Sequence, residues 1–403
     1  SSLSATEMRP GHMPWLLLSL VTAVATGAVG SGRSWEAHFL QDYPLAICND
    51  GSPAAYYYRR GDVRSRAWLV FLEGGMWCWD TASCRSGVAG ISSSKNFPRT
   101  RQAINFWASH QRGIFEDHTS PFAYTHVAYV RTCSNDAFMG DASPEDHAYP
   151  MRGQTKLHFR GKRIIEAVFA DLRRNFGLGE GLGDRVIYGG CSAGARGALV
   201  SLDYVAENLV GRAQVIGLLD SPLWVPIAPL GPSVASFEQQ TASVLELHNT
   251  TGFISKDCET AYPGAMRWKC LMAAYRLPFV RTPYVLSHSQ YDKFAINWNL
   301  KRGFWLPKER LNSTVLAFAE RYRKTVLDYL PNAAATTGNI VFSSACYYHC
   351  TTMFEFIHSI RIQGVTLAEL LNWVLMAPLG VPLAQGFRAD CQGLGCGQCQ
   401  EAA

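Results

Sequence analysis

The chain has 403 residues, of which 48% are hydrophobic and 17% charged. This composition supplies enough apolar side chains for one large core and excludes a disordered chain, except at the ends. The formal net charge of +5 comes from Lys and Arg residues spread along the sequence without a block of like charges, which argues against a nucleic-acid partner and favours an acidic substrate only slightly.

The first 30 residues have the features of a targeting signal. Either Met8 or Met13 is the start, and an apolar run over residues 15–25 ends in small side chains. The run is shorter than the roughly 20 apolar residues that span a bilayer. We therefore expect residues 1–30 to be a signal peptide and leader, and the mature chain to be secreted without stable membrane insertion. A membrane anchor or a buried core strand is the alternative.

Strand and helix patterns alternate along the rest of the chain. In chain order they are a strand (68–73), a strand (126–130), an amphipathic helix (159–176), a strand (185–188), a helix (193–209), two strands (215–219 and 284–289), a helix (311–330), a strand (340–343) and a helix (367–375). This alternation is typical of a mainly parallel sheet with helices on both faces. We predict a single α/β domain over residues 35–403.

Residues 221–270 interrupt the alternation. The segment follows an irregular pattern and is rich in Pro, Trp and residues typical of loops. Long irregular segments within compact domains often shape binding sites. We predict that this segment is an insertion or lid.

Twelve cysteines fit an exported chain, because disulfides persist where glutathione does not reduce them. Cys78 and Cys84 are close enough in sequence to close a small loop, and Cys258 and Cys270 could do the same. The tail has a cluster that is expected to clamp the end of the chain onto the body: Cys391, Cys396 and Cys399. A zinc site is the alternative for this cluster, but no histidine follows it, so we expect no metal.

The segment Gly190-Cys191-Ser192-Ala193-Gly194 contains the pattern G-x-S-x-G between a predicted strand and a predicted helix. In the α/β-hydrolase fold this pattern forms a sharp turn that exposes a nucleophilic serine, and small neighbours are needed because the turn leaves no room for side chains. We therefore predict an α/β-hydrolase-like fold with Ser192 as the nucleophile. An ordinary glycine turn is the alternative.

A serine hydroxyl needs a histidine to take its proton and an acid to orient that histidine. Asp292 follows the strand over residues 284–289 and His349 follows the strand over residues 340–343, which agrees with the chain order serine, acid, histidine. We predict Asp292 as the acid and His349 as the base. Asp220 is the rival acid, although it comes one strand early.

Ester hydrolysis also needs donors for the negative charge that develops on the substrate oxygen. The backbone N–H groups of Gly75 or Met76, after the first strong strand, and of Ala193, after the nucleophile, are the candidates. A simple strand-to-helix turn is the alternative for the glycine loop. The sequence has no dinucleotide-binding or Walker motif, so we expect no cofactor.

Several short motifs resemble those of the pectin acetylesterase family, which includes the Notum-type carboxylesterases. From Cys48 to the terminal cysteines they are 48–53 (CNDGSP), 72–78 (LEGGMWC), 157–161 (LHFRG), 190–194 (GCSAG), 291–292 (YD) and 346–350 (CYYHC). The resemblance places the family's nucleophile on Ser192, its acid on Asp292 and its base on His349. It implies a secreted serine esterase.

The motifs resemble two groups of the family that act on different substrates. The segments around His158, Tyr291 and His349 look like plant pectin acetylesterases, whereas residues 94–101 resemble Notum. The resemblance favours removal of O-acetyl groups from pectin or a similar polysaccharide. The alternatives are Notum-like removal of a palmitoleoyl lipid from a protein and a secreted binding module with a relict site.

Two residues depart from the plant pattern. Met76 stands where a third glycine is usual, and Arg196 follows the nucleophile turn where Gly-Gly or a similar pair is usual. Met76 is expected to make the pocket narrower or more apolar. Arg196 is expected either to attract an acidic polysaccharide or to cap a helix.

Overall fold

The computed structural model describes residues 34–85, 92–101, 113–145, 156–231, 233–300, 311–334, 338–378 and 385–394, together with Cys396 and Cys399. Residues Arg33–Ala403 form one compact unit. The predicted signal peptide and leader, residues 1–30, lie outside the described residues.

A ten-stranded sheet organises the described part of the chain. The strands are β1 (Trp35–Phe39), β2 (Ala55–Arg59), β3 (Ala67–Leu72), β4 (Thr100–Arg101), β5 (His126–Val130), β6 (Arg185–Cys191), β7 (Gln214–Asp220), β8 (Tyr284–Ser287), β9 (Ile340–Ser343) and β12 (Gln385–Arg388). Their spatial order is β12-β9-β8-β7-β6-β3-β5-β2-β1-β4. The strands from β12 to β5 pair in parallel, and β2, β1 and β4 extend the sheet antiparallel. A short hairpin of β10 (Arg361–Ile362) and β11 (Val365–Thr366) lies outside this sheet.

Helices connect the strands. They are α1 (Thr81–Arg85), α2 (Gly161–Phe176), α3 (Ala193–Asn208), α4 (Phe237–Leu247), α5 (Lys256–Ala261), α6 (Ala273–Arg276), α7 (Lys293–Asn299), α8 (Ser313–Ala334), α9 (Phe356–Ser359) and α10 (Leu367–Met376). Each predicted strand and helix is present, and the predicted mainly parallel α/β architecture is confirmed. Among the described residues, no helix combines the length and hydrophobicity needed to cross a bilayer.

Both faces of the sheet are covered by apolar side chains, as the alternation along β3 illustrates. Trp68, Val70 and Leu72 belong to one buried cluster, whereas Leu69 and Phe71 belong to another. Successive side chains of a strand point to opposite faces, so the two clusters lie on opposite sides. A sheet buried on both faces explains why its strands consist of apolar runs without polar alternation.

Strand β6 is longer than the sequence predicts, since it continues from Tyr188 to Cys191. A Cβ atom on Gly189 would lie 1.9 Å from the carbonyl oxygen of Leu218 on β7, which is far inside van der Waals contact. The glycine therefore does not end the strand; it allows the neighbouring backbone to approach.

The segment over residues 221–270, whose sequence pattern is irregular, contains regular helices in the structure. It contains α4 and α5, and α4 begins with a capping box in which Ser236 and Gln239 satisfy each other's backbone N–H groups. Trp224 and Phe237 are buried in the larger apolar cluster. Short helices separated by proline and glycine have too few turns to reveal a periodicity in the sequence. Its role as a lid stays a prediction.

The twelve cysteines form six disulfides, and none is free. The pairs are Cys48–Cys133, Cys78–Cys84, Cys191–Cys350, Cys258–Cys270, Cys346–Cys399 and Cys391–Cys396. The pairs Cys78–Cys84 and Cys258–Cys270 confirm the two predicted small loops. The pair Cys346–Cys399 confirms that the tail is bonded to the body of the chain. The zinc alternative for the tail is wrong, because its three cysteines are all oxidised.

Candidate active site

Ser192 stands at a sharp turn between β6 and α3. Its backbone angles are φ 56° and ψ −121°, which a non-glycine residue adopts only at a cost of about 1–3 kcal/mol. A Cβ atom on Gly190 would lie 2.6 Å from the Leu72 carbonyl oxygen, and one on Gly194 would lie 2.2 Å from the same atom. Both glycines are therefore required by close packing against β3, as the pattern G-x-S-x-G predicts.

Asp292 and His349 form a close pair. The Nδ1 atom of His349 lies 2.7 Å from Oδ2 of Asp292, and the two side chains are 7% and 1% exposed. The other carboxylate oxygen, Oδ1, accepts a hydrogen bond from the Ala295 N–H at the start of α7. A carboxylate held at both oxygens orients the imidazole and favours the tautomer with its hydrogen on Nδ1 and its lone pair on Nε2.

A disulfide connects the neighbourhood of this pair to that of Ser192. Cys191 and Cys350, whose Cα atoms are 5.5 Å apart, directly adjoin Ser192 and His349 in the sequence. Adjacent Cα atoms are about 3.8 Å apart, so the Cα atoms of Ser192 and His349 lie within about 13 Å of each other. The structure thus gathers all three predicted catalytic residues at the carboxyl ends of β6, β8 and β9.

The predicted oxyanion loop lies against the same turn. A Cβ atom on Gly74 would be 3.4 Å from Cβ of Ser192, and Gly75 and Met76 follow directly. Ala193, the third predicted donor, begins α3. Ala193 therefore adjoins the serine, and Gly75 and Met76 follow the residue that contacts it, while the role of all three in binding an oxyanion stays a prediction.

A buried ion pair that the sequence did not indicate supports this loop. Glu73, the residue before Gly74, lies 2.9 Å from the Arg131 guanidinium and accepts the Thr132 N–H. Burial raises the pKa of Glu73, although Arg131 and Thr132 oppose this change. The only signal in the sequence is a charged residue at the end of an apolar strand.

The rival acid Asp220 does not contact the imidazole of His349 through a hydrogen bond but binds the loop that follows it. Its Oδ2 atom accepts the N–H of Thr352 at 2.7 Å and the hydroxyl of Thr352 at 2.6 Å. Burial raises the pKa of Asp220, and the bonds from Thr352 oppose this rise. Asp292 is therefore the carboxylate that orients His349.

Arg196 is neither a substrate-facing cation nor a helix cap. It is 1% exposed, and its guanidinium lies 3.7 Å from the ring centroid of Trp77 and 3.8 Å from that of Trp224. It also donates a hydrogen bond to the Thr241 hydroxyl. Because the charge is enclosed by aromatic faces, Arg196 packs residues of the segment 221–270 against α3 and is not exposed to solvent.

Aromatic side chains line one side of the imidazole. The ring centroid of Phe294 lies 5.1 Å from that of His349, Trp298 lies 5.8 Å from Phe294, and Trp79 lies 5.5 Å from Trp298. Trp79, Trp298 and Met76 are only partly buried. The approach to His349 is therefore apolar on this side.

A second histidine, His288, is buried near Asp292 and His349. His288 is 1% exposed, and burial lowers its pKa to about 4. It is therefore uncharged at neutral pH, and Tyr322 lies 3.4 Å from its Nε2 atom. In the described part of the chain, no group of three or more His, Cys, Asp or Glu side chains is placed to hold a metal ion.

This arrangement has the parts needed for acyl transfer. It combines a serine on a strained turn, an imidazole oriented by a buried carboxylate, and backbone N–H groups at a helix start beside the serine. The same parts serve esters, thioesters and peptides.

Comparison with protein families agrees with this arrangement. The family model described as pectinacetylesterase matches residues 31–378, which include all the candidate catalytic residues. Among known proteins, the palmitoleoyl-protein carboxylesterase notum2 of Xenopus laevis is 26% identical over 85% of this chain and 67% of its own length. The palmitoleoyl-protein carboxylesterase NOTUM of Drosophila melanogaster is 28% identical over 68% of this chain but only 40% of its own length.

A plant protein is similar to the same degree. Pectin acetylesterase 5 of Arabidopsis thaliana is 27% identical over 80% of this chain and 76% of its own length. A crystal structure of the Wnt deacylase Notum from Drosophila superposes with a TM-score of 0.75 at 23% identity, covering 91% of this chain and all of that one. This structural likeness shows that the two chains share an α/β-hydrolase-like fold.

Proposed function

This chain belongs to the pectinacetylesterase family and is a carboxylic ester hydrolase; from that premise we propose that it is a secreted serine esterase with Ser192, His349 and Asp292 as its catalytic triad. The observation that carries the proposal is the 2.7 Å contact between His349 and Asp292, joined by the Cys191–Cys350 disulfide to the strained turn of Ser192.

In the proposed reaction, Ser192 Oγ attacks the ester carbonyl carbon while His349 Nε2 takes the hydroxyl proton. The N–H groups of Gly75 or Met76 and of Ala193 would stabilise the tetrahedral oxyanion. Its collapse breaks the bond to the alcohol, which leaves with the proton from His349. A water molecule then attacks the acyl-serine, His349 accepts the water's proton, and the acid is released as Ser192 regains its hydrogen.

We propose acetate on an extracellular polysaccharide, such as pectin, as the first candidate substrate. The family description supports it, and the chain covers more of the length of the plant pectin acetylesterase than of the two palmitoleoyl-protein carboxylesterases. Six disulfides support an oxidising, extracellular location.

A lipid on a protein is the second candidate, and the aromatic side chains beside His349 favour it. Trp298 packs against Phe294 on one side and against Trp79 on the other. Met76 lies in the candidate oxyanion loop. An apolar wall of this kind would stabilise a long acyl chain by about 25 cal/mol for each Å² that it buries.

The profile of activity against acyl chain length separates the two candidates. We expect the purified protein to hydrolyse p-nitrophenyl acetate, and Ser192→Ala to lower kcat by at least about 10⁴-fold. Acetate release from acetylated pectin, with activity that falls from acetate to octanoate, supports the first candidate; activity that rises with chain length supports the second. Equal rates for the wild type and Ser192→Ala would refute the triad.

A further inference from the structure

The carboxyl end of β7 contacts Ser192 and the loop that follows His349. Asp220, its last residue, accepts the Ser192 N–H through its backbone carbonyl oxygen at 2.9 Å. Its carboxylate accepts both the N–H and the hydroxyl of Thr352, which follows His349 by three positions. One fully buried residue therefore holds the nucleophile by its main chain and the loop of the base by its side chain.

Ser221 adds a second connection to the same loop. Its hydroxyl accepts the Cys350 N–H at 3.0 Å and donates to Oδ1 of Asp220 at 3.2 Å. Ser221 and Cys350 have φ angles of 59° and 64°, a left-handed conformation that non-glycine residues seldom adopt without support from their surroundings. The backbone beside His349 is therefore held in its conformation by contacts from the end of β7.

The Cys191–Cys350 disulfide links the same two segments covalently. Both cysteines are buried, and they are 159 positions apart in the sequence. The Cys258–Cys270 disulfide, in contrast, joins residues 12 positions apart within the insertion. Only the first of these two bonds connects a neighbour of the nucleophile to a neighbour of the base.

We propose that Asp220 is a positioning residue that, together with Ser221 and the Cys191–Cys350 disulfide, sets the separation of Ser192 from His349. We call these groups the brace. The inference rests on the proposed function, because it assumes that Ser192 and His349 react together. A misplacement of about 1 Å between reacting groups can lower a rate by about 10²-fold. All the residues of the brace are buried, so we expect its loss to lower kcat and to leave KM almost unchanged.

The first test removes the covalent part of the brace. With p-nitrophenyl acetate as substrate, we expect Cys191→Ala/Cys350→Ala to lower kcat by about 100-fold and to change KM by less than about twofold. Cys258→Ala/Cys270→Ala is the matched control, because it also loses one disulfide and should keep kcat within about threefold. Circular dichroism and Tm identify the folded variants.

The second test changes one hydroxyl and does not depend on the disulfide variant folding. Thr352→Val removes the hydroxyl that donates to Asp220 and keeps the backbone N–H, so we expect kcat to fall by about tenfold. Thr352→Ser restores the hydroxyl and should bring kcat to within about twofold of the wild type.

The outcomes distinguish the brace from the triad. Wild-type kcat in folded Cys191→Ala/Cys350→Ala, or an equal loss in the Cys258→Ala/Cys270→Ala control, overturns the brace. If the first variant does not fold, equal kcat values for Thr352→Val and Thr352→Ser overturn it. If Ser192→Ala loses activity but the brace variants keep the kcat of the wild type, the brace alone is refuted. If the wild type is no faster than Ser192→Ala, both the triad and the brace are refuted.

Discussion

The carboxyl ends of β7 and β8 present the same residue type in the same environment and use it differently. Asp220 is 0% exposed and Asp292 is 1% exposed, and the strands that precede them are hydrogen-bonded neighbours. Asp292 contacts the imidazole of His349, whereas Asp220 binds Thr352 in the loop beyond it. The two aspartates therefore contact different residues of one loop.

This difference shows that burial and strand position do not assign a role to a carboxylate. Both residues occupy places where an α/β sheet can present a catalytic acid. The deciding feature is the donor that faces each carboxylate, which is an imidazole for Asp292 and a threonine for Asp220. A carboxylate whose hydrogen bonds come from backbone and hydroxyl donors can position a loop, whereas one that contacts an imidazole selects the tautomer of a histidine. Asp220 interacts with His349 only through its charge.

The largest expected effect comes from exchanging each aspartate for asparagine. Asp292→Asn should lower kcat by roughly 10³- to 10⁴-fold, because the amide no longer favours the tautomer with its lone pair on Nε2. Asp220→Asn should lower kcat by only about tenfold, since the amide oxygen can still accept a hydrogen bond from Thr352. Steady-state hydrolysis of p-nitrophenyl acetate measures both.

The folded state of each variant has to be verified by its Tm before the rates are compared. If Asp220→Asn loses as much activity as Asp292→Asn while remaining folded, the assignment of Asp292 as the orienting acid is wrong. If neither change affects kcat, the contact between Asp292 and His349 has no role in the reaction.

The pH dependence of stability should also differ between Asp220→Asn and the wild type. Burial raises the pKa of Asp220 above its usual value, so the folded state keeps a proton that the unfolded chain releases near pH 3.9. The protonated Asp220 therefore contributes to the free energy of unfolding below that pH. This contribution is lost as the pH rises through the pKa that Asp220 has in the folded state. Because asparagine does not titrate, the free energy of unfolding of the variant minus that of the wild type should increase with pH.

Urea unfolding at pH 4, 5, 6 and 7 checks this expectation. The matched control is Asp390→Asn, which makes the same chemical change at an exposed position, where substitutions usually change the free energy of unfolding by less than about 0.5 kcal/mol. A constant difference between Asp220→Asn and the wild type over this range would contradict the effect of burial on Asp220.

The sequence predicts the sheet and the triad because both depend on local patterns. Apolar runs mark the buried strands, and G-x-S-x-G marks a turn that few residue types can form. The order of Ser192, Asp292 and His349 then follows from chain topology. The sequence does not predict the end of β6, because glycine usually ends a strand. At Gly189 the glycine instead allows the backbone of Leu218 on the neighbouring strand to approach closely, and a sequence pattern does not show which strand is the neighbour.

The supports of the site were not predictable in the same way. The pairing of Cys191 with Cys350, the contact of Asp220 with Thr352, and the stacking of Arg196 between two tryptophans all join residues distant in sequence. No periodicity encodes such contacts. An arginine near a nucleophile suggests a binding role in the sequence, and only its enclosure by aromatic rings shows otherwise.

The smallest expected effect concerns the support that α7 gives to the His349 loop. The hydroxyl of Tyr347 donates to Oδ1 of Asn297 on α7 at 3.1 Å, and the Lys293 N–H donates to the Tyr348 carbonyl oxygen at 3.0 Å. Tyr347→Phe removes only the first bond and should lower the free energy of unfolding by about 1–2 kcal/mol. Because the backbone bond remains, kcat should fall by less than about fivefold. Urea unfolding and ester hydrolysis measure the two quantities, and a loss of kcat beyond tenfold would show that the loop depends on α7 as much as on the end of β7.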